Sequence, residues 1–312
     1  MNYADLHCDT LTAAFGKGMS LADADTDVSL DKASCFDGYI QVAAIFTSHN
    51  LTNEEGFARF TEVADYARRE EASHDGRLAL CKSGSEITRA LDSRKAAFVI
   101  SVEDARILAG DINRLEVLHE NGVRIITPLW SGLTCIGGSF DTDEGLTDFG
   151  RAVIDGCLDF GIIPDISHAS VRSADEILST AEKRGVPVIA SHSDSYSVNA
   201  HPRNLRDDQL LRIISLGGLV GLNMYPLHVS GGDSCTMDDI AKHLYRYLEL
   251  GAEDCIAFGC DLDGIGEHPD GVNTVSDIPD LVAHFRSLGI DGETLDKLAF
   301  KNAYGFLTSN VR

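Results

Sequence analysis

The chain has 312 residues, of which 44% are hydrophobic, so it is long enough to bury a large core in one barrel-sized domain. Its formal net charge is −23, from 49 acidic and 26 basic side chains, which argues against a nucleic-acid partner or an anionic membrane surface. A solvated, self-repelling surface explains this charge, and the alternative is an acidic mouth that concentrates metal ions or cationic substrates.

The pattern along the chain favours a cytoplasmic protein with a single domain over residues 1–312. The N-terminal residues contain no basic segment followed by an apolar one, and no run approaches the roughly 18 uncharged apolar residues of a membrane span. No linker-like or repetitive stretch divides the sequence. The eight cysteines lack CxxC spacing, so we expect reduced core thiols rather than disulfides or zinc knuckles.

Short apolar runs rich in β-forming residues alternate with amphipathic stretches along the chain. Most of the runs are almost wholly apolar, as expected of parallel strands that are covered on both faces. Eight runs, each followed by a helical stretch, predict an α/β fold of the (β/α)8 TIM-barrel type. The predicted strands are Ala4–Cys8, Tyr39–Thr47, Ala97–Val102, Arg124–Leu129, Ile162–Ile166, Val188–Ser191, Leu219–Asn223 and Ile256–Gly259.

Three local signals refine this pattern. Thr52 with Glu55, and Ser173 with Glu176, have the spacing of a capping box and predict two helix N-termini. Pro164 lies inside the fifth predicted strand, where it would remove a hydrogen bond of the sheet. We therefore expect a bulge or a late strand start at this position.

Five strand ends carry side chains that bind metal ions. His7 and Asp9 are two residues apart, so on an extended strand they point to the same side. Glu103 follows a buried apolar run directly, although a carboxylate that simply leaves the strand for solvent is the ordinary alternative.

The remaining candidates come from later strands. His168 and His192 each follow a serine at the ends of consecutive strands, which lie about 4.8 Å apart in a sheet, so that their imidazoles can share an ion. For either histidine alone, a hydrogen bond to backbone is the ordinary alternative. Asp261 ends the last strand, which neighbours the first in a closed barrel.

These positions suggest two metal sites at one mouth of the barrel. His7, Asp9 and Asp261 would hold one ion, and His168 and His192 the other. Glu103 is suited to bridge them, because the ions of such centres lie about 3.5–4 Å apart. Mixed imidazole and carboxylate ligands favour zinc over manganese, cobalt or iron.

The segments around these residues resemble the renal (membrane) dipeptidase family of the amidohydrolase superfamily over most of the chain. The segments that carry the resemblance are His7-Cys8-Asp9, Val102-Glu103, Asp165-Ile166-Ser167-His168-Ala169-Ser170, Ser191-His192-Ser193, His201-Pro202-Arg203-Asn204-Leu205, Gly217-Gly218-Leu219-Val220-Gly221, Asn223-Met224-Tyr225 and Gly259-Cys260-Asp261-Leu262-Asp263-Gly264.

The resemblance implies a (β/α)8 barrel with two zinc ions per subunit. It assigns His7 and Asp9 to the first zinc, Glu103 to the bridge, and His168 and His192 to the second zinc. Asp261 lies at the first zinc and handles the proton. Family members are often dimers, so a homodimer is also an expectation that the resemblance carries.

The resemblance also implies substrate contacts. It places Arg203 on the C-terminal carboxylate of the substrate and Tyr225 in the substrate site. A guanidinium fork matches a carboxylate in two hydrogen bonds, which supports that role. The alternative for Arg203 is a surface ion pair with Asp207 or Asp208.

The sequence departs from the family pattern at two places. Trp130 stands at about the position where mammalian members carry a histidine that contacts the substrate. It is either a hydrogen-bond donor to the substrate or a packing aromatic at the pocket wall. Asp104-Ala105 follows Glu103 where family members have a pair of glycines, so we expect a bulkier and more acidic loop that alters the pocket.

The function predicted from these residues is zinc-dependent hydrolysis of dipeptides that have a free C-terminal carboxylate, and the resemblance favours L-Xaa-D-Xaa substrates. A hydroxide that bridges the two ions would attack the scissile carbonyl, and Asp261 would act first as general base and then as general acid. Two alternatives remain open. One is hydrolysis of another amide, such as a lactam or an N-acyl amino acid, on the same metal centre, and the other is a non-catalytic metal-binding module.

Overall fold

Eight parallel strands form a nearly closed barrel in the computed structural model, which describes all 312 residues. The order around the barrel is β6-β5-β4-β2-β1-β9-β8-β7, and a bridge between Asp165 and Ile189 joins the two ends. The predicted fold class is therefore confirmed. The strands are β1 (Asn2–Cys8), β2 (Gly38–Phe46), β3 (Leu78–Leu80), β4 (Ala96–Glu103), β5 (Val123–Thr127), β6 (Ile163–Pro164), β7 (Ile189–Ala190), β8 (Leu219–Leu222) and β9 (Ile256–Phe258).

All eight predicted strands are present, and no strand end differs from its prediction by more than two residues. The ninth strand, β3, was not predicted. It pairs with Ala96–Phe98 of β4, on the edge that β5 occupies further along at Ile100–Glu103. It therefore lies outside the barrel circuit and lengthens the sheet at the amino-terminal end of β4.

Pro164 is accommodated by short neighbouring strands rather than by a bulge. The next residue, Asp165, donates its backbone N–H to Ile126 of β5, and Ile166 donates to Ile189 of β7. Since alternate residues of a strand point their N–H groups to opposite sides, the nitrogen of Pro164 faces the β7 side. Strand β7 begins only at Ile189, so no ladder hydrogen bond is lost there.

Helices surround the barrel and connect its strands. The predicted capping box of α2 is confirmed, with Thr52 accepting from the backbone of Glu55. The helices are α1 (Thr10–Lys17), α2 (Asn53–Ser73), α3 (Gly84–Asp92), α4 (Arg114–Glu120), α5 (Asp148–Phe160), α6 (Val171–Arg184), α7 (Asp207–Ser215), α8 (Pro226–Val229), α9 (Met237–Glu249), α10 (Ile278–Ser287), α11 (Gly292–Asp296) and α12 (Asn302–Asn310). None is both long and apolar enough to cross a bilayer.

The second predicted capping box is wrong. Helix α6 begins three residues earlier, with Ser170 as its N-cap, which accepts a hydrogen bond from the backbone of Ser173. Ser173 instead donates its hydroxyl to the carbonyl of Gly138, and Glu176 pairs with Arg151. Ser173 has a glutamate three positions later and Ser170 has only a serine there, so the capping-box pattern favoured the wrong serine.

The two ends of the barrel differ in chemistry. At the amino-terminal end, aromatic rings fill the interior, with Tyr3 packed against Phe36 at 4.8 Å and Phe258 at 5.5 Å between ring centres. The core continues between strands and helices as one cluster of 89 buried hydrophobic residues. All eight cysteines are free thiols, and six of them are buried. The carboxyl-terminal end instead holds buried polar side chains, including His7, Asp9 and Glu103.

Candidate metal centre and substrate cavity

The structure brings all six predicted metal ligands together at the carboxyl-terminal mouth. His7 lies in β1 and Glu103 is the last residue of β4. The other four, Asp9, His168, His192 and Asp261, stand one to four residues beyond the ends of β1, β6, β7 and β9. The parallel strands thus deliver residues that are distant in the sequence to one place.

His7 occupies the middle of the acidic part of this cluster. Its Nε2 atom lies 3.7 Å from a carboxylate oxygen of each of three residues, Asp9, Glu103 and Asp261. The same atom is buried and has no hydrogen-bond partner, and Oδ1 of Asp9 is also buried without one. Buried polar atoms in proteins are almost always satisfied, so a cation between these groups is the fitting partner.

Glu103 connects this group to the two remaining histidines. Its Oε1 atom lies 3.0 Å from Nε2 of His168 and 3.5 Å from Nε2 of His192. The two predicted sets of metal ligands are not fully separate in space. The ligand atoms of His7, Glu103 and His192 also lie within 4.8 Å of one another, although His7 and His192 were assigned to different ions. The His7 and His192 rings stack at 3.8 Å between centres. His7 therefore lies next to both predicted sites.

The cluster shifts the pKa values of its carboxyl groups in opposite directions. Burial, together with the charge of Glu103, raises the pKa of Asp9 to about 6. Burial also raises the pKa of Asp261 to about 7, although His7 opposes the shift. For Glu103 burial acts in the same upward direction, but His7 and the other two histidines outweigh it and hold the pKa well below its usual range. Divalent cations bind carboxylates in their ionised form, so bound metal would reverse the upward shifts.

The histidines respond to burial in different ways. Burial lowers the pKa of His168 to about 4 and that of His192 well below its usual range. For His7, burial is outweighed by Glu103 and Asp9, which hold its pKa well above its usual range. His168 and His192 are therefore neutral near pH 7, which is the state in which an imidazole binds a metal ion.

Hydrogen bonds fix the ring orientations of these two histidines. Nδ1 of His168 lies 3.1 Å from the carbonyl of Trp130, and Nδ1 of His192 lies 2.7 Å from Oγ of Ser191. Both rings consequently turn Nε2 towards Glu103. Such partners behind a ligand set its tautomer and are typical of metal sites.

Two buried carboxylates, Asp5 and Asp165, support the centre from behind. Asp5 accepts from the backbone N–H of His7 at 3.0 Å and of Cys260 at 3.1 Å. Asp165 accepts from the backbone N–H of Ser167 and of Ser191, both at 2.9 Å. Each carboxylate therefore ties two ligand-bearing strand ends together. Sequence reasoning did not single them out, although both lie two or three residues before a predicted histidine ligand.

The backbone is strained at two of the ligand positions. His168 and Asp261 have φ angles of 67° and 62°, in the left-handed region that residues other than glycine rarely adopt. Such strain is retained where the surrounding structure imposes it, and it concentrates at functional sites.

A cavity of about 480 Å³ opens over the cluster. Its polar lining includes Asp9, Glu103, His168 and Asp261, and its apolar lining comes from side chains that include Phe46, Phe140 and Ile265. The predicted substrate residues Trp130 and Tyr225 also line it. A cavity of this size, apolar with a few convergent polar groups, is typical of a small-molecule site.

Trp130 packs as an aromatic wall of this cavity. Its ring centre lies 5.0 Å from that of Phe46 and 5.3 Å from that of His49, on which it stacks. Its indole N–H has no partner within the protein, so it is free to donate to a ligand. Both interpretations made from the sequence therefore remain compatible with its position.

Asp104 does not change the cavity, contrary to the expectation from sequence. Its carboxylate is 1% exposed and forms an ion pair with Nε of Arg106 at 2.8 Å, and it is absent from the cavity lining. Its φ angle of 73° lies in the left-handed region, which glycine adopts without cost and which aspartate tolerates better than most residues. The aspartate that stands here in place of a family glycine is thus neutralised locally by Arg106.

Arg203 is buried rather than paired at the surface. It is 4% exposed, and it donates to the carbonyl of His192 at 3.0 Å and to Oγ of Ser193 at 3.1 Å. Its Nε has no partner, and no carboxylate lies within ion-pair distance of it. The alternative ion pair with Asp207 or Asp208 is wrong, since Asp207 pairs with Arg246. Arg203 lies behind the wall of the cavity and is not itself among the lining residues.

Comparisons with known proteins identify the family of this chain. The family model of membrane dipeptidase (peptidase family M19) matches residues 1–308. An uncharacterized protein in the pqqA 5' region of Klebsiella pneumoniae is 34% identical over 239 residues, which cover 73% of this chain and 87% of that protein. An uncharacterized dipeptidase of Schizosaccharomyces pombe is 30% identical over 231 residues, which cover 71% of this chain and 55% of that protein. The chain thus spans about half the length of the yeast relative.

Two solved structures share the fold over their full length. The dipeptidase AC, a metallopeptidase of family M19, superposes with a TM-score of 0.92 at 24% identity, covering 100% of this chain and 99% of that one. A metallopeptidase from Rhodobacter sphaeroides, solved with a phosphinate mimic of the dipeptide L-Ala-D-Ala, gives a TM-score of 0.91 at 24% identity with the same coverage.

Proposed function

The chain belongs to the membrane dipeptidase family of metallopeptidases, and on that basis we propose that it hydrolyses dipeptides at a centre of two zinc ions. The observation that carries the proposal is the convergence of three histidines and three carboxylates under one cavity, with the buried Nε2 atom of His7 left without a partner. Imidazole and carboxylate together favour zinc among the divalent metals.

The proposed ligand sets follow the distances in the cluster. His7, Asp9 and Asp261 would hold one ion, and His168 and His192 the second. Glu103 would bridge them, because its Oε2 faces His7 while its Oε1 faces the other two histidines. When bound, the two ions would polarise the scissile carbonyl and lower the pKa of the attacking water.

Asp261 is proposed to carry the proton. It would accept the proton of the attacking water and deliver it to the amine that leaves, as a general base and then a general acid. Its position supports this role, since it lines the cavity and also belongs to the ligand cluster. Nδ2 of Asn223 donates to its Oδ2 at 3.1 Å and so orients the carboxyl group.

Arg203 is proposed to select substrates with a free C-terminal carboxylate. A buried guanidinium without a carboxylate partner is energetically costly, and an anionic ligand group would supply the missing charge. Trp130 and Tyr225 would contact the rest of the dipeptide from the cavity wall. We take L-Xaa-D-Xaa dipeptides as the first class to test, since the R. sphaeroides relative was solved with a mimic of L-Ala-D-Ala.

The test is a substrate panel on zinc-reconstituted protein whose metal content is measured in parallel. The panel contains L-Xaa-L-Xaa and L-Xaa-D-Xaa dipeptides, their C-terminal amides, N-acyl amino acids and lactams. We expect about two zinc ions per chain and turnover of free dipeptides that is far faster than that of their amides. If the protein hydrolyses only lactams or N-acyl amino acids, those amides are its substrates and the dipeptide assignment is wrong. A fully zinc-loaded protein that hydrolyses nothing in the panel would favour a non-catalytic metal-binding module.

A further inference from the structure

One histidine besides His168 lines the cavity, His228, and it has no assigned role. It lies in the short helix α8, at the far end of the loop that follows β8, and it is 9% exposed. Its ring meets the ring of Tyr225 edge-on at 4.8 Å and lies 4.9 Å from that of His201. The cavity that it lines also contains His168 and Asp261. This imidazole is therefore packed in place beside the reaction centre.

The backbone of His228 is tied to the segment that carries Arg203. The side-chain amides of Asn199 and Asn204 both donate to the carbonyl of His228, at 2.8 Å and 2.7 Å. These asparagines flank Arg203 along the chain. The buried ring of His243 lies 2.8 Å from the carbonyl of the next residue, Val229. His228 and Arg203 are consequently held in a fixed relation.

The ring nitrogens of His228 are free for a ligand. No hydrogen bond within the protein reaches either of them, and burial, aided by Arg203, lowers the pKa of the ring. The imidazole is therefore neutral near pH 7, with one N–H donor and one acceptor. Because the ring lines the cavity and its nitrogens are not engaged by the protein, a ligand in the cavity can bond to them.

The charges around the cavity indicate which part of the substrate would reach His228. No lysine or arginine lines the cavity, whereas Asp9, Glu103, Asp261 and Asp263 all do. Three of these acids are proposed zinc ligands, so bound metal would offset their charge.

Arg203 is the nearby cation without an acidic partner, since it bonds only the neutral oxygens of His192 and Ser193, and it is therefore the side chain that attracts a substrate carboxylate. His201 links Arg203 to His228, because its Nδ1 accepts from the backbone N–H of Arg203 at 3.2 Å while its ring lies 4.9 Å from that of His228. A carboxylate drawn to Arg203 therefore comes close to the ring of His228.

We propose that His228 is a substrate-binding residue that donates a ring N–H to the C-terminal carboxylate of the dipeptide, while Arg203 supplies the positive charge behind it. The proposal rests on the proposed dipeptidase function. It gives the C-terminal subsite a neutral donor at the surface of the cavity in addition to a buried cation.

The first experiment compares His228→Phe with wild type on L-Ala-D-Ala and on its C-terminal amide. Phenylalanine keeps the ring that packs against Tyr225 and His201 but has no N–H. A hydrogen bond to a charged group accounts for about a 10- to 100-fold change. We expect KM for the free dipeptide to rise by about that factor with kcat within about threefold, and little change for the amide. An unchanged KM, or an equal loss on the amide, would overturn the proposal.

Conservative variants separate hydrogen bonding from packing. His228→Asn and His228→Gln keep an N–H near one or the other ring nitrogen, and we expect at least one of them to recover most of the lost affinity. His119→Phe is the matched control, since His119 packs against Phe160 in another part of the molecule and does not line the cavity. It should leave KM unchanged. Failure of both donor variants to improve on His228→Phe would contradict the assigned hydrogen bond.

Binding can also be measured without turnover. Trp130 is the only tryptophan of the chain and lines the cavity, so its fluorescence reports occupancy. Titration with D-alanine should give a Kd about 10-fold or more weaker for zinc-loaded His228→Phe than for wild type, at equal zinc content. If wild type hydrolyses no dipeptide, the proposed function fails, and this titration still decides the role of His228. Equal affinities, or no binding of D-alanine to wild type, would overturn that role.

Discussion

Glu103 is the residue on which the centre depends most. Its two oxygens face different histidines, with Oε2 at His7 and Oε1 at His168 and His192. These histidines hold its pKa low, while burial raises the pKa of Asp261 to about 7. In the metal-free fold, Glu103 is therefore an anion near pH 7, whereas Asp261 exchanges a proton there, which is consistent with the division into anion and proton carrier that we propose.

Asp261→Asn tests that division. The amide is nearly isosteric and still offers one oxygen, but it cannot accept the proton of the attacking water. We expect kcat to fall by about 10² to 10⁴, the usual contribution of general acid–base catalysis, while most of the zinc remains bound. Steady-state kinetics and metal analysis on the same sample measure both quantities. Asp270→Asn is the control, because Asp270 is exposed in the same loop region, and it should retain full activity.

Trp130 offers a second test at the residue scale, because its two interpretations predict different mutants. If the indole acts as an aromatic wall between Phe46 and His49, Trp130→Phe should change KM by less than about threefold. Trp130→Ala should raise KM by about tenfold or more, since a buried large side chain contributes about 1.5–3 kcal/mol. An equal loss of affinity in both variants would instead identify the indole N–H as a donor to the substrate.

At the scale of elements, the ligand-bearing strand ends depend on close approaches of the backbone. A Cβ added to Gly221 of β8 would lie 1.9 Å from the carbonyl oxygen of Ser191, and one added to Gly259 after β9 would lie 1.8 Å from the same atom. Ser191 immediately precedes His192. The two glycines therefore allow the neighbouring strand ends to pack against the backbone that presents this ligand.

Gly259→Ala should damage the centre without touching a ligand. The new methyl group must displace the Ser191 carbonyl and with it His192, and overpacking of this kind costs about 1–3 kcal/mol. We expect a lower Tm and a weaker zinc affinity, measured by thermal denaturation and by zinc titration. Gly305→Ala in α12 is the matched control, because nothing lies within 4 Å of its added Cβ. That variant should be neutral or stabilised by up to about 1 kcal/mol. A Gly259→Ala protein with normal zinc affinity would contradict this account.

The elements also show what the sequence could reveal. Strands covered on both faces are largely apolar, so β4 was evident, whereas the three apolar residues of β3 are too few to identify a strand. The barrel geometry fixes where the residues at strand ends lie, so the position of Glu103 at the metal centre could be predicted. His228 could not, because it stands in a loop helix whose approach to the cavity depends on hydrogen bonds from Asn199 and Asn204.

At the scale of the whole molecule, acidic side chains lie over the surface and also line the cavity at the mouth of the barrel. The net charge is −23, and four carboxylates line a cavity that no lysine or arginine lines. Such a field attracts divalent cations and weakens the binding of anions, so substrate carboxylates depend on local donors. A metal-loaded centre offsets part of this charge.

The last prediction concerns the pH dependence of the stability that zinc confers. In the metal-free fold, the raised pKa values of Asp9, about 6, and Asp261, about 7, mean that both carboxyls hold protons as the pH falls below those values. The raised pKa of His7 acts in the same direction. Zinc binding must release these protons, so the affinity increases with pH, by about tenfold per unit for each proton released. His168 and His192 add nothing to this release, because their pKa values are lowered.

Thermal denaturation with EDTA and with a fixed free zinc concentration at pH 5.5, 6.5 and 7.5 measures this effect. A ligand that binds only the folded state stabilises it by about 2.7 kcal/mol when its free concentration is about 100 times its Kd. At a fixed zinc concentration, a lower Kd therefore gives a larger increase in Tm. We expect the zinc-induced shift to grow from pH 5.5 to 7.5. Magnesium is the control cation, and it should give a smaller shift because it prefers oxygen ligands to imidazole. A zinc shift that is the same at all three pH values would contradict protonated carboxyls in the metal-free centre, and its absence would contradict the metal site itself.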